Sequence, residues 1–115
     1  MAAITDLTWQ QVQDKLPAGA ITVVGGAVTI NIGLINDSTV NALTDSGVVK
    51  FFSMLFTAAN KAQTDANVDQ IDGEKLAAFS PATIGANANG FITLSRPFIC
   101  RSELATATTI IGTNA

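Results

Sequence analysis

The sequence predicts an α+β fold, and three local patterns carry that prediction. They are a helix start at Thr8, a Gly-Gly turn between two alternating runs, and an apolar stretch of helical period over 47–66. The expected order is a short N-terminal helix, a β-hairpin, a central helix or helices, and antiparallel C-terminal strands. At 115 residues the chain is long enough to bury its own core and reads as a single domain, 1–115.

The first helix is predicted from its cap. Thr8 has Gln11 three residues on, as a capping box requires, and Leu7 and Val12 stand at the two hydrophobic-staple positions. The helix covers "WQQVQDKL", with Trp9, Val12 and Leu16 on one side, and Pro17 and Gly19 end it. "AITVVGGAVTINI" then alternates on both sides of Gly25-Gly26, and both glycines accept the positive φ of a two-residue hairpin turn. Ile21 and Val23 share one face, as do Val28, Ile30 and Ile32. "NDSTVNALTDSG" reads as a short capped helix from about 38 to 45, ended near Gly47.

The most apolar stretch, "GVVKFFSMLFTAANKAQTDAN", is too short and too interrupted to span a membrane, which takes about 20 apolar residues. A helix over 47–66 places Val48, Phe52, Leu55, Phe56, Ala59 and Ala62 along one broad face. Ser46 is a possible cap, and a β-strand over 48–56 is the competing reading because of its β-branched and aromatic content. Phe51 and Met54 fall on the flanks of the arc, which is therefore wider than one core requires. Beyond it, "EKLAAF" reads as a strand or a turn of helix, and "SPATIGANANG" as a loop. "FITLSRPFICRS" reads as a strand in which Pro97 implies an edge or a bulge. "ATATTIIG" is a last strand, and "TNA" frays.

The residue inventory argues against catalysis. There is no histidine, the residue most used for proton transfer near neutral pH and the commonest metal ligand. Cys100 is expected to be a small buried residue beside an exposed Arg101, because neighbours on a strand face opposite ways. "DANVDQIDGEKL" places Asp65, Asn67 and Asp69 at the first, third and fifth positions of a calcium loop. Gln70 and Leu76 then stand where Gly and Glu are needed. A solvated acidic loop is the favoured reading, and an irregular cation site on Asp65, Asp69, Asp72 and Glu74 the alternative. No catalytic residue, metal site or cofactor is predicted.

Charge bounds the partners. The net charge is −3, and the six basic residues, Lys15, Lys50, Lys61, Lys75, Arg96 and Arg101, are scattered, so nucleic acid is not an expected partner. A lone cysteine and the acidic, polar turn of "MAAITDLTWQQ" predict a protein made in a reducing cytoplasm. Only 13% of residues are charged, against about 25% in ordinary domains. Such a surface is either simply neutral or covered by another chain.

With its Ala/Thr/Asn/Gly-rich surface and the end "LATATTIIGTNA", the whole chain resembles the small virion proteins of tailed phages, capsid-decorating (cement) or tail components. The resemblance is one of general character. It implies a non-catalytic protein that forms symmetric homo-oligomers on a larger capsid or tail and resides in the virion. The candidate interface residues are Phe51 and Met54 on the helix flank, and Arg96 and Pro97 on the edge strand. The alternative is a small cytoplasmic bacterial binding or regulatory module.

Overall fold

The computed structural model describes residues 2–102 and 109–115. Its helices and antiparallel strand pairs make an α+β fold, in the order α1 (Trp9–Gln13), β1 (Ile21–Val24), β2 (Ala27–Ile30), α2 (Ile32–Asn36), α3 (Val48–Ala66), β3 (Thr83–Ala88), β4 (Phe91–Ser95), β5 (Cys100–Ser102) and β6 (Ile110–Gly112). Packing divides the chain into a unit of residues 8–62 and a unit of residues 1–7 with 63–115, the division falling inside α3.

In the unit 8–62, the capping box forms as expected. Thr8 Oγ1 accepts from the Gln11 amide at 3.2 Å, and Gln11 Oε1 accepts from the Thr8 amide at 2.8 Å. Both orphan donors are thereby satisfied, so Thr8→Ala is expected to lower stability by about 1 kcal/mol. A urea midpoint unchanged by the substitution would show that the cap contributes nothing. The helix itself is shorter than "WQQVQDKL" and gives way to turns after Gln13. Of its expected inner side chains Val12 is buried, Leu16 is partly covered and Trp9 is exposed.

The hairpin closes on Gly25 and Gly26, at φ 58° and 81°, and pairs Ile21 with Ile30 and Val23 with Val28. Here the expectation for Ile32 fails: it opens α2 rather than extending β2. The reason lies one residue earlier, where Asn31 Oδ1 accepts from the Leu34 amide at 3.1 Å and so caps a helix. Asp37, in the left-handed conformation at φ 52°, ends it. The helix expected over 38–45 is absent. Asp45 Oδ2 accepts from the amides of Asn41 and Ala42, at 2.8 and 3.0 Å. A side chain that binds these amides competes with the helix.

α3 confirms the expected helix and removes the strand alternative. Gly47, rather than Ser46, supplies the first carbonyl, accepting from Phe51 at 2.9 Å. The buried stripe is rotated from the expected one: it runs through Ala58, Ala59, Ala62 and Gln63, with Phe51 and Leu55 partly covered. Phe52, expected at the centre, is half exposed. The fully buried positions of α3 are thus three alanines and Gln63, while Val48, Val49, Phe52 and Met54 are exposed.

In the other unit, two side-chain amides grip the chain after α3. Gln63 Nε2 donates to the Phe79 carbonyl and Gln63 Oε1 accepts from its amide, both at 2.9 Å. Asn67 does the same for Leu76, at 2.9 and 2.8 Å. "EKLAAF" therefore forms neither strand nor helix, only the isolated bridges Leu76–Asn114 and Phe79–Phe98. The expected loop "SPATIGANANG" is instead half of a hairpin: β3 pairs with β4 through Asn89 (φ 55°) and Gly90 (φ 80°). Asn-Gly is a favoured two-residue hairpin turn. The strand expected over 91–102 breaks at Pro97, where Ser80 donates to the Pro97 carbonyl at 3.4 Å and Ile99 donates to Ala78 at 3.0 Å. β5 then pairs with β6, and the start of the expected last strand, 105–108, lies outside the described residues.

Nor does the C-terminal end fray. Asn114 Nδ2 donates to the carbonyls of Ile4 (2.7 Å) and Lys75 (3.0 Å), and the Ala115 amide donates to Lys75 at 3.1 Å. One amide side chain holds the end because it reaches two carbonyls at once.

Candidate interaction surfaces

Among the described residues no three His, Cys, Asp or Glu side chains come together as a metal-binding group. Asp65, Asp69 and Asp72 are exposed, and Asp72 lies 3.6 Å from the Lys75 ammonium. Asn67, third in the calcium-loop pattern, has both ends of its amide committed to Leu76. Cys100 is exposed, contrary to expectation. β5 belongs to a two-stranded sheet and all three of its residues are exposed, so strand alternation does not bury Cys100. No helix among the described residues is long and apolar enough to cross a membrane.

What the described residues do present is exposed apolar surface, including three groups of side chains. The first surrounds the start of α3. Phe51 and Phe52 meet edge to face with ring centres 5.4 Å apart, and Phe52 lies 6.2 Å from Phe56. Beside them is an open pocket of about 540 Å³ whose lining includes Ile32, Val40, Leu43, Val48, Phe51 and Phe52. Met54, one turn along from Phe51, is exposed. The second surface is the β1–β2 hairpin, where Val23, Val24 and Val28 are exposed.

The third is the β3–β4 ribbon in the other unit, every residue of which is exposed. A two-stranded ribbon is marginal unless it packs against something. Comparison with protein-family models, with curated proteins and with solved structures finds no match.

The four candidate interface residues fall in different units. Phe51 and Met54 lie on α3 in the unit 8–62; Arg96, partly covered, and Pro97, exposed, lie between β4 and β5 in the other. Sequence reasoning misses Ile84, Phe91, Ile92 and Leu94, although the Asn89-Gly90 turn between two apolar pairs signals the ribbon that carries them.

Proposed function

We propose that this chain is a non-catalytic structural subunit that assembles into symmetric oligomers, as a virion component of the capsid-decorating type. One observation carries the reading. Among the described residues only nine apolar side chains are buried, and five of those are alanines. None is Phe, Trp or Met, while twenty large apolar side chains are exposed. Fully burying a large apolar side chain is worth about 1.5–3 kcal/mol, so leaving this many half or more in water forgoes a large share of that stabilisation. A second chain supplies the missing cover.

The low charge supports the same reading, since chains that must stay apart in solution ordinarily carry more. A decorating protein acts mechanically: each contact adds buried area between neighbouring subunits, and symmetric repetition multiplies weak contacts. No general acid, base or nucleophile is asked of the chain, in keeping with the absence of histidine.

Light scattering is expected to give a multiple of the 11.9 kDa chain mass across micromolar concentrations. A mass of one chain throughout that range overturns the proposal. That result favours the second reading, a small binding module, because the pocket beside Phe51 and Phe52 has the size of small-molecule sites, about 300–1,000 Å³.

A further inference from the structure

We infer that Asn89, at the tip of the β3–β4 ribbon, is a site of spontaneous covalent modification, at which the side-chain amide is lost and the turn is rebuilt. The inference is independent of the oligomer reading above. Asn89-Gly90 is the one Asn-Gly pair in the chain, and every other asparagine is followed by a residue that carries a side chain. Such a side chain crowds the main-chain nitrogen beside it, whereas glycine leaves that nitrogen open to the asparagine Cγ. A Cβ built on Gly90 would meet nothing within 4 Å, so the surroundings of the turn are open as well.

The Gly90 nitrogen gives up its proton and attacks Asn89 Cγ. As the N–Cγ bond forms, the Cγ–Nδ2 bond breaks and ammonia leaves with that proton, closing a five-membered succinimide. Water then opens the ring at either carbonyl. Breaking the N–Cγ bond leaves aspartate. Breaking the bond from the nitrogen to the residue-89 carbonyl carbon leaves isoaspartate, with the main chain routed through Cγ. Either product is a carboxylate, so one negative charge enters the stretch 83–95, which contains no Lys, Arg, Asp or Glu. The products differ in shape. Asp-Gly is also a favoured two-residue hairpin turn. Isoaspartate instead lengthens the main chain by one carbon inside the turn that lets Ala88 pair with Phe91.

Asn89 and Gly90 sit in the turn at φ 55° and 80°. Ring closure brings the Gly90 nitrogen onto Cγ by rotation of the Asn89 main chain, and so needs a transient opening of the turn. That opening is cheap here. Every residue of β3 and β4 is exposed, and a two-stranded ribbon on its own is marginal. The ladder is also interrupted, with Gly85 and Ala86 of β3 standing where β4 has only Thr93. Asp72-Gly73, which could close the same ring by losing water, is held by contrast. Its Gly73 amide donates to the Ala115 carbonyl at 2.7 Å, and the Asp72 carboxylate lies 3.6 Å from the Lys75 ammonium.

The test incubates the full chain at mildly alkaline pH, folded and in denaturing urea, and follows each asparagine by digestion and mass spectrometry. In the folded chain Asn89 is expected to convert about tenfold faster than any other asparagine, and no more than about tenfold slower than in urea, because the ribbon protects it little. Conversion no faster than at another asparagine overturns the inference. A larger gap from the urea rate also overturns it, since the native turn then shields the nitrogen. In urea, where folding plays no part, Gly90→Ala should slow conversion at Asn89 about tenfold. An unchanged rate there means that the Gly90 nitrogen is not the attacking group. Amide exchange over 83–95 reads the rebuilt turn: faster in the isoaspartate fraction, and like the parent in Asn89→Asp. Equal exchange in the two overturns the claim that the turn is rebuilt.

Discussion

Leu76→Ala is expected to cost about 2–5 kcal/mol, the range for truncating a buried leucine. Leu76 is 2% exposed, and only Val12, Ile21 and Ile35 accompany it as buried apolar side chains larger than alanine among the described residues. Total stabilities of domains run about 5–15 kcal/mol, so this one change threatens folding. The reason is visible around Gly112. A Cβ built there would collide with Leu76 Cδ1 and lie 3.0 Å from the Thr5 carbonyl oxygen and 3.4 Å from Ala78 Cβ. The same glycine donates its amide to Thr5 at 2.7 Å, which fixes the spacing.

Gly112→Ala alone should therefore destabilise by about 1–3 kcal/mol through overpacking. In the Leu76→Ala background its cost should shrink, because the new methyl enters the space that leucine vacates. It should not disappear, since the Thr5 oxygen remains. Urea unfolding of the four chains at one fixed concentration closes the cycle. Equal costs of Gly112→Ala in both backgrounds would show that Leu76 is not what the methyl meets.

Where structure follows from contacts a few residues apart, it was legible. Thr8 and Gln11 specify their own cap, Gly25-Gly26 its turn, and 47–66 its helix, because each pattern contains its partners. Composition is a poorer guide. "TIGANA" follows the β-branched Thr83 and Ile84 with Gly, Ala and Asn, which are depleted in strands, yet Asn89-Gly90 folds it back on β4. "NDSTVNALTDSG" has helix-capping residues, yet Asp45 spends its carboxylate on the amides of Asn41 and Ala42.

Long-range partners were not legible at all. Asn114 ties down the C-terminal end through Ile4 and Lys75, and Gln63 holds both the amide and the carbonyl of Phe79. For the candidate surfaces, the excess of apolar residues over charged ones is plain in composition. Which of them face outward depends on small residues taking the buried positions of α3, and no local pattern reports that choice.

Gln63→Leu and Asn67→Leu are each expected to cost about 2 kcal/mol or more, because each strips two hydrogen bonds while nearly preserving volume. Gln63 and Asn67 stand four residues apart, hence on one side of the helical end of α3, and each amide imitates a neighbouring strand by donating to and accepting from one residue. Leucine leaves the amide and carbonyl of Phe79, or of Leu76, without those partners, at about 1–3 kcal/mol for each group that water cannot reach. Amide exchange at Phe79 and Leu76 should accelerate with the matching substitution. Gln63→Glu separates hydrogen bonding from packing. As a neutral acid the new side chain can still donate to the Phe79 carbonyl and accept from its amide. Once ionised it has no donor and sits buried against a carbonyl oxygen, so its folded pKa is raised above the unfolded value of about 4.3. The sign follows: the variant should be closest to the parent below that pH and lose stability as pH rises above it. A deficit that is the same at pH 4 and pH 7 would mean that the Gln63 amide is not the clamp on Phe79.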